Sequence, residues 1–294
     1  MSLTKEQAAV LALTRATAGP WHHTARVVEA RGSALRLVDG DFTGLDQEDR
    51  AHAARVTARL RPGDLDRAER LITACRDRLV TVLDDDYPGN LAYAHDLQPF
   101  LWVRGRLRES DCRSVAIVTG DGGGDRDDND RARGDDGDDG DDGPVVARAL
   151  AEAGLTVVCD AGAPAADAAL TAGGRAITVL PGGLPALLGG APVGGAGGVV
   201  VSAFWPDAAV TPATVALAHG VTSGLAAAVY VSRPGGGGRA AVALSQGKHV
   251  FAPPGLPWTS RVGYRGGVTV VAGIDDLVRQ AVNLVDVTRL TTVF

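Results

Sequence analysis

From residue 79 onward, short apolar runs alternate with segments of helical periodicity, and this alternation restricts the fold more than any other feature of the chain. Strands that alternate with helices indicate an α/β domain, Rossmann-like, with a doubly wound, mostly parallel sheet. Helices are predicted over 144–153, 162–172, 211–223, 237–246 and 275–284. Nine strands are predicted, over 79–83, 100–103, 114–118, 155–159, 176–180, 198–202, 227–232, 249–252 and 268–271.

The first 78 residues have helical spacing instead. Thr4 can cap a first helix that Gly19-Pro20 ends, and further helices are predicted over 21–28, over 46–60 and from Asp64. Four short helices in this length indicate a small bundle. We therefore expect a helical N-terminal module at 1–78, a Rossmann-like domain at 79–284 and a tail at 285–294.

The net charge of −6 is concentrated in one segment. Residues 121–143 contain eleven Asp and three Arg, a net charge of −8, which leaves +2 for the rest of the chain. A Gly/Asp composition of this kind cannot bury a core, and like charges at this density repel each other. We predict that 120–143 is a disordered insertion after the strand at 114–118, and that 121–143 is dispensable for folding.

Several classes of function lack their usual signals. The three cysteines are far apart, the histidines have no zinc spacing, and no Walker loop or Ser/His/Asp elbow is present. His95, Asp96 and His219 are candidate acid–base groups, but no nucleophile is spaced to support them, so a structural role is favoured. We expect no catalytic residue, no metal and no cofactor. No run approaches the ~18 apolar residues of a membrane span, so a cytoplasmic protein without membrane contact is predicted.

Candidate phosphate contacts follow or precede several strands. Thr119, Gly120 and Gly122 follow the strand at 114–118, where a glycine-rich turn can hold a phosphate through backbone N–H groups. The alternative is that these residues only begin the inserted loop. A second set of basic residues could line an anion-binding face at the strand ends or be scattered surface charge: Arg104, Arg106, Arg175, Arg239 and Lys248.

Strand direction decides which basic residues can reach a ligand. Arg175 and Lys248 precede their strands, whereas ligands of open parallel sheets bind beyond the carboxyl ends. Arg104 follows its strand and is favoured over the other two if that strand is parallel to its neighbours.

Several segments, in order, resemble the DNA-processing protein A family (DprA, also called Smf). Tyr87-Pro88 precedes a Leu, and a second apolar run ends in Arg104-Gly105, as in the family's entry segment. The resemblance covers roughly 79–280. Its later parts are Gly173-Gly174 with the run to Leu180, then Pro181-Gly182-Gly183-Leu184, Gln246-Gly247-Lys248, Val250-Phe251-Ala252 and Pro254-Gly255.

The resemblance implies a non-enzymatic protein that binds single-stranded DNA, protects incoming DNA and helps to load a RecA-type recombinase during transformation and recombination. It also allows a homodimer. With this function, the predicted DNA-binding residues are Arg104, Thr119, Gly120, Gly122, Arg175 and Lys248. Alanine at Arg175 or Lys248 is expected to weaken DNA binding and leave the fold intact, and alanine at Arg104 to weaken it more if its strand is parallel to its neighbours. Where the family has a Val-Gly-Ser-Arg-like turn, this chain has Val118-Thr119-Gly120-Asp121. Two alternatives therefore stay open: a nucleotide or nucleoside-phosphate sensor or enzyme, and a degenerate paralogue that acts through protein contacts.

Overall fold

The computed structural model of this chain describes residues 3–118, 142–184, 197–262 and 266–291. All nine predicted strands are present, with ends within two residues of the predicted ones. They are β1 Arg78–Thr81, β2 Phe100–Arg104, β3 Ser114–Val118, β4 Thr156–Asp160, β5 Arg175–Val179, β6 Gly198–Ser202, β7 Ala228–Val231, β8 His249–Ala252 and β9 Val268–Val270.

The strands form one sheet in the order β1-β2-β6-β5-β4-β3-β7-β8-β9. The seven strands from β6 to β9 in this order are parallel, which confirms the predicted mostly parallel sheet. The chain moves outward from β3 to β6 and returns to β7 on the other side of β3. The order therefore reverses between β3 and β7, and the carboxyl ends of these two strands flank the crevice where such sheets usually bind ligands.

Strands β1 and β2 are the exception to the parallel arrangement. β2 is antiparallel to both β1 and β6, and Arg104 at its end lies opposite Val200. We call the end of the sheet where β3 to β9 begin the amino edge, and the end where they finish the carboxyl edge. The last residue of β2 therefore lies toward the amino edge.

The helices occur where periodicity predicted them, and short ones occur where it did not. The helices α3, α6 and α11 span only four or five residues, too few to establish a period. The helices are α1 Leu3–Ala16, α2 Trp21–Arg31, α3 Ala34–Val38, α4 Gln47–Thr57, α5 Asp64–Ala74, α6 Gly89–Ala92, α7 Gly143–Glu152, α8 Pro164–Thr171, α9 Pro212–Leu225, α10 Gly237–Ser245, α11 Thr259–Val262 and α12 Ile274–Thr291.

Helix α12 continues beyond the predicted end at 284 into the segment that was predicted to be a tail. Leu277, Ala281 and Val285 recur at intervals of four residues and are all buried in the same cluster. This spacing places them on one helical face. The apolar stripe continues past 284, and the helix continues with it.

Helices cover both faces of the sheet. Buried residues of α9 and α10 pack on one face, and those of α7, α8 and α12 pack on the other. The N-terminal helices reach the sheet through α1, whose Ala8 and Leu11 share a cluster with Phe100 and Trp102 of β2. In the part of the chain that the structure describes, no helix combines the length and apolarity needed to cross a membrane.

Candidate nucleic-acid interface

The three basic residues of the predicted site that the structure describes all lie at the amino edge. Arg175 begins β5 and Lys248 directly precedes β8, as the sequence indicated. Arg104 ends β2, but the antiparallel direction of β2 returns it to the same edge. The condition for favouring Arg104, a strand parallel to its neighbours, is therefore not met. The expectation that Arg104 lies at the opposite edge from the other two is wrong.

Arg104 is held by a carboxylate of the same chain. Its Nε donates to Asp77 Oδ1 at 2.7 Å and its Nη2 donates to Asp77 Oδ2 at 2.9 Å. The hydrogen bonds to Asp77 raise the pKa of the Arg104 guanidinium above its ordinary value. A two-pronged pair of this kind is the strongest geometry for an arginine and a carboxylate. It neutralises the charge that a DNA phosphate would need.

Arg175 is buried and has two partners. Its Nη2 donates to Asp111 Oδ2 at 2.7 Å and to the backbone oxygen of Arg106 at 2.6 Å, and its Nε donates to Asp111 Oδ1. Only 9% of Arg175 and 8% of Asp111 are exposed. A guanidinium in this position joins β5 to the segment before β3 and presents little surface to a ligand.

Lys248 is also turned inward. Its Nζ donates to the backbone oxygen of Asn90 at 2.7 Å, and burial lowers the pKa of its ammonium group to about 8. The carboxylate of Asp96 acts in the opposite direction, toward a higher pKa. Lys248 thus fastens the start of β8 to the segment around α6.

A cleft of about 440 Å³ opens near this edge, beside Tyr87-Pro88. The Tyr87 hydroxyl donates to the backbone oxygen of Gln98 at 2.6 Å, and burial raises the Tyr87 pKa well above its ordinary value. Among the described residues, four acidic side chains and one basic side chain, that of Arg108, line the cleft; the acidic ones are Asp85, Asp86, Glu109 and Asp111. This acidic lining does not favour a polyanion.

The remaining predicted residues, Thr119, Gly120 and Gly122, lie outside the described residues, as does 120–141 of the predicted insertion. The residues that flank this segment are described. Val118 ends β3, and Asp142 precedes α7 and accepts a 2.5 Å hydrogen bond from the Tyr230 hydroxyl. Burial and this bond raise the Tyr230 pKa. Because α7 follows β3 in a parallel crossover, the two described residues that flank this segment, Val118 and Asp142, both lie at the carboxyl edge.

A polar cluster occupies the carboxyl edge near β3. Asp160, the last residue of β4, accepts a 2.5 Å hydrogen bond from Thr222 on α9. His219 Nε2, also on α9, lies 3.8 Å from Asp160 Oδ2, and Arg239 Nη1 on α10 lies 2.8 Å from the same oxygen. The sequence singled out Arg239 and His219 and missed Asp160 and Thr222. The available signal was the position of Asp160 directly after the apolar run at 155–159.

This cluster combines a buried cation with a partly exposed anion. Arg239 is 7% exposed, and its Nη1 and Nη2 have no hydrogen-bond acceptor among the described residues, because the Asp160 contact lacks hydrogen-bond geometry. The side chain of Asp160 is 28% exposed. At the carboxyl edge, Arg239 can attract an anion, and Asp160 can repel one. In the described ranges, no three His, Cys, Asp or Glu side chains are grouped to hold a metal ion.

Two solved structures resemble this architecture. The structure of DNA processing protein A (DprA) from Streptococcus pneumoniae matches with a TM-score of 0.62 at 19% identity, over 93% of this chain and 97% of that one. The protein of the same name from Helicobacter pylori, described in a study of its single-stranded DNA binding mode, matches with a TM-score of 0.52 at 16% identity, over 71% of this chain and 97% of that one. The chain has the fold of DprA.

The DprA fold includes more of this chain than the sequence resemblance did. A match over 93% of 294 residues leaves about 20 residues outside it, so it must include most of the N-terminal helices, which precede the resemblance at 79–280. The resemblance to the DprA family is therefore confirmed at the level of the fold. No protein-family model matches the chain, and no curated protein matches its sequence.

Proposed function

We propose that this chain is a diverged member of the DprA family that binds single-stranded DNA in the cytoplasm without catalysing a reaction. The observation that carries the proposal is the DprA fold over 93% of the chain. In this proposal the protein protects DNA during uptake and recombination, and its partners are a RecA-type recombinase and a second copy of itself.

The carboxyl edge between β3 and β7 is the DNA-binding surface that we favour. The three predicted cations at the amino edge are engaged by Asp77, Asp111 and the backbone oxygen of Asn90. At the carboxyl edge, α10 begins without a side-chain cap, so its first amides can meet phosphate oxygens. The crevice at the reversal of strand order lies at this edge. Binding of this kind rests on phosphate contacts and weakens with salt.

A comparison of two matched arginines tests this surface. Arg233 follows β7 at the carboxyl edge, and Arg113 precedes β3 at the amino edge; both are half-buried. We expect Arg233→Ala to weaken binding of a dT30 oligonucleotide and to reduce the slope of log K against log salt by about 0.7, the value for one single-strand phosphate contact. Fluorescence anisotropy at four salt concentrations measures both quantities.

Arg113→Ala is the control for this experiment and should bind like the wild type. Arg113 forms an ion pair with Asp286, so its loss reports the effect of removing a half-buried arginine away from the proposed surface. Absence of salt-dependent binding by the wild type would overturn the proposed function. An effect of Arg113→Ala with none of Arg233→Ala would instead place DNA at the amino edge.

The aspartates of 121–141 are expected to inhibit DNA binding. The described residues that flank this segment lie at the carboxyl edge, and ten of the eleven Asp residues of 121–143 belong to the segment. Replacing the ten with Asn should raise affinity for dT30 about threefold or more at ~20 mM salt, and less at ~150 mM, where the Debye length is about 8 Å. Replacing Arg126, Arg131 and Arg133 with Gln should lower it. Equal affinities at low salt would show that the segment does not lie near the DNA.

A further inference from the structure

The guanidinium of Arg239 lacks the partners that a buried cation needs. Its Nη1 and Nη2 are enclosed, and neither has a hydrogen-bond acceptor among the described residues. Buried polar groups in folded proteins are nearly always hydrogen-bonded, and an unpaired one destabilises the fold. Asp160 offers charge compensation at 2.8 Å, but it does not satisfy these donors. A bound ion is one way to supply the acceptors that these donors lack.

The position of Arg239 adds a second source of donors. Arg239 is the third residue of α10, a nine-residue helix whose N-cap, Gly236, has no side chain to accept from the first amides. Side chains in the first turn lean toward the helix N-terminus. The first amides of α10 and the positive end of the helix dipole lie there as well. The guanidinium, beside Asp160 at the end of β4, and these amides, which follow β7, both lie at the carboxyl edge near the reversal of strand order.

The turn before α10 leaves room for a ligand. A Cβ at Gly236 would lie 2.3 Å from Val231 Cγ1, and a Cβ at Gly237 would lie 2.8 Å from Trp258 Cβ, so glycine allows the turn to pack against these residues. At Gly238 a Cβ would have no heavy atom within 4 Å. The first turn of α10 is thus open at Gly238, and the packing of Gly236 and Gly237 against Val231 and Trp258 holds the turn in place.

We propose that Arg239 and the first-turn amides of α10 bind one phosphate group. The planar guanidinium matches two oxygens of a phosphate, and helix N-termini bind the same group. Asp160, fixed by Thr222, positions the guanidinium, and its carboxylate limits affinity by repelling the anion. The proposal does not rest on DNA binding, because a free phosphate ion suffices to fill the site.

Thermal unfolding of the full chain in inorganic phosphate, at constant ionic strength set with NaCl, tests the proposal. We expect the wild-type midpoint to rise with phosphate in a saturable way, by roughly 2–4 °C at tens of millimolar. Arg239→Met keeps a long side chain and removes the orphaned donors, so it should fold but lose the shift. No saturable shift in the wild type, or an equal shift in Arg239→Met, would overturn the proposal.

A second pair of variants leaves Arg239 in place. Gly238→Asp puts a carboxylate in the first turn of α10, where an acidic residue stabilises a helix. It should keep or raise the midpoint without phosphate and abolish the phosphate shift. Gly238→Ala, which has the same open space and no charge, should keep the shift. If Gly238→Asp responds to phosphate like Gly238→Ala, the amides do not contribute and the proposed site is wrong.

Two further ligands identify the source of the phosphate. Thymidine 5′-monophosphate carries a phosphomonoester, and dT30 without a 5′-phosphate carries only phosphodiesters. Competition of inorganic phosphate with dT30 for the wild type, and its loss in Arg239→Met, would assign the site to the DNA backbone. A midpoint shift with the mononucleotide and no competition with dT30 would assign it to a nucleotide. Both results support the site, and the experiment with inorganic phosphate remains valid if no DNA binding is found.

Discussion

Replacing Arg175 with alanine should lower the free energy of unfolding by about 3–5 kcal/mol, the usual cost of removing one partner of a buried ion pair. Arg175 and Asp111 are each about nine-tenths buried. The substitution leaves the Asp111 carboxylate with one weak remaining side-chain donor, Thr156 at 3.3 Å, and leaves the backbone oxygen of Arg106 without its bond to Arg175. The sequence predicted loss of DNA binding with an intact fold; the buried pair predicts a large loss of stability instead.

Urea unfolding of the variant, followed by circular dichroism, measures this change. Arg279→Ala is the matched control, because Arg279 pairs with Asp276 but its side chain is 71% exposed. An exposed pair contributes about 1 kcal/mol or less. The double variant Asp111→Ala/Arg175→Ala should lose less than the sum of the single variants, since the second change removes the uncompensated charge. A loss below about 1 kcal/mol for Arg175→Ala would show that the pair is not buried in solution.

The strands could be predicted from the sequence because each is a short apolar run bounded by turn residues, and such runs need little tertiary information. The direction of β2 could not. Its neighbours are β1, which precedes it, and β6, which begins 94 residues after the end of β2. Both pairings are antiparallel, and nothing within Phe100–Arg104 records this. Because the direction of β2 could not be predicted, the edge of the sheet at which Arg104 lies could not be predicted either.

Partners distant in sequence explain the other differences at the site. Placing Arg175 and Lys248 at the starts of their strands required only the strand limits, and this was correct. Their burial depends on Asp111 and Asn90, which lie 64 and 158 residues away. Asp160 was missed for the same reason, because Thr222 and Arg239 reach it only in the folded chain. The local sequence pattern gives the strand limits, and so the edge at which a residue of a parallel strand lies. Whether the charge of that residue is free to bind a ligand depends on the tertiary fold.

Between pH 7 and pH 10.5, Lys248 should raise the free energy of unfolding of the wild type by about 3 kcal/mol, and Lys248→Met should lack this rise. Burial lowers the pKa of Lys248 to about 8 in the folded protein, whereas the unfolded chain holds the proton up to about 10.5. Between these values the unfolded state binds more protons, so Lys248 makes the folded state more stable as pH rises. Below pH 8 its burial cost is constant. The methionine variant lacks this rise.

The measurement is the free energy of unfolding in urea from pH 7 to pH 10.5, taken as wild type minus variant. The difference is required because the raised pKa values of Cys75 and Tyr87 make the folded state less stable at high pH in both proteins. Lys5 is the only other lysine of the chain and is exposed, so Lys5→Met controls for the loss of a lysine charge. If the difference in free energy of unfolding between the wild type and Lys248→Met does not change with pH, water reaches the Lys248 ammonium group. In that case Lys248 would be open to a DNA phosphate at the amino edge. The preference for the carboxyl edge could then no longer rest on all three basic residues of the amino edge being engaged.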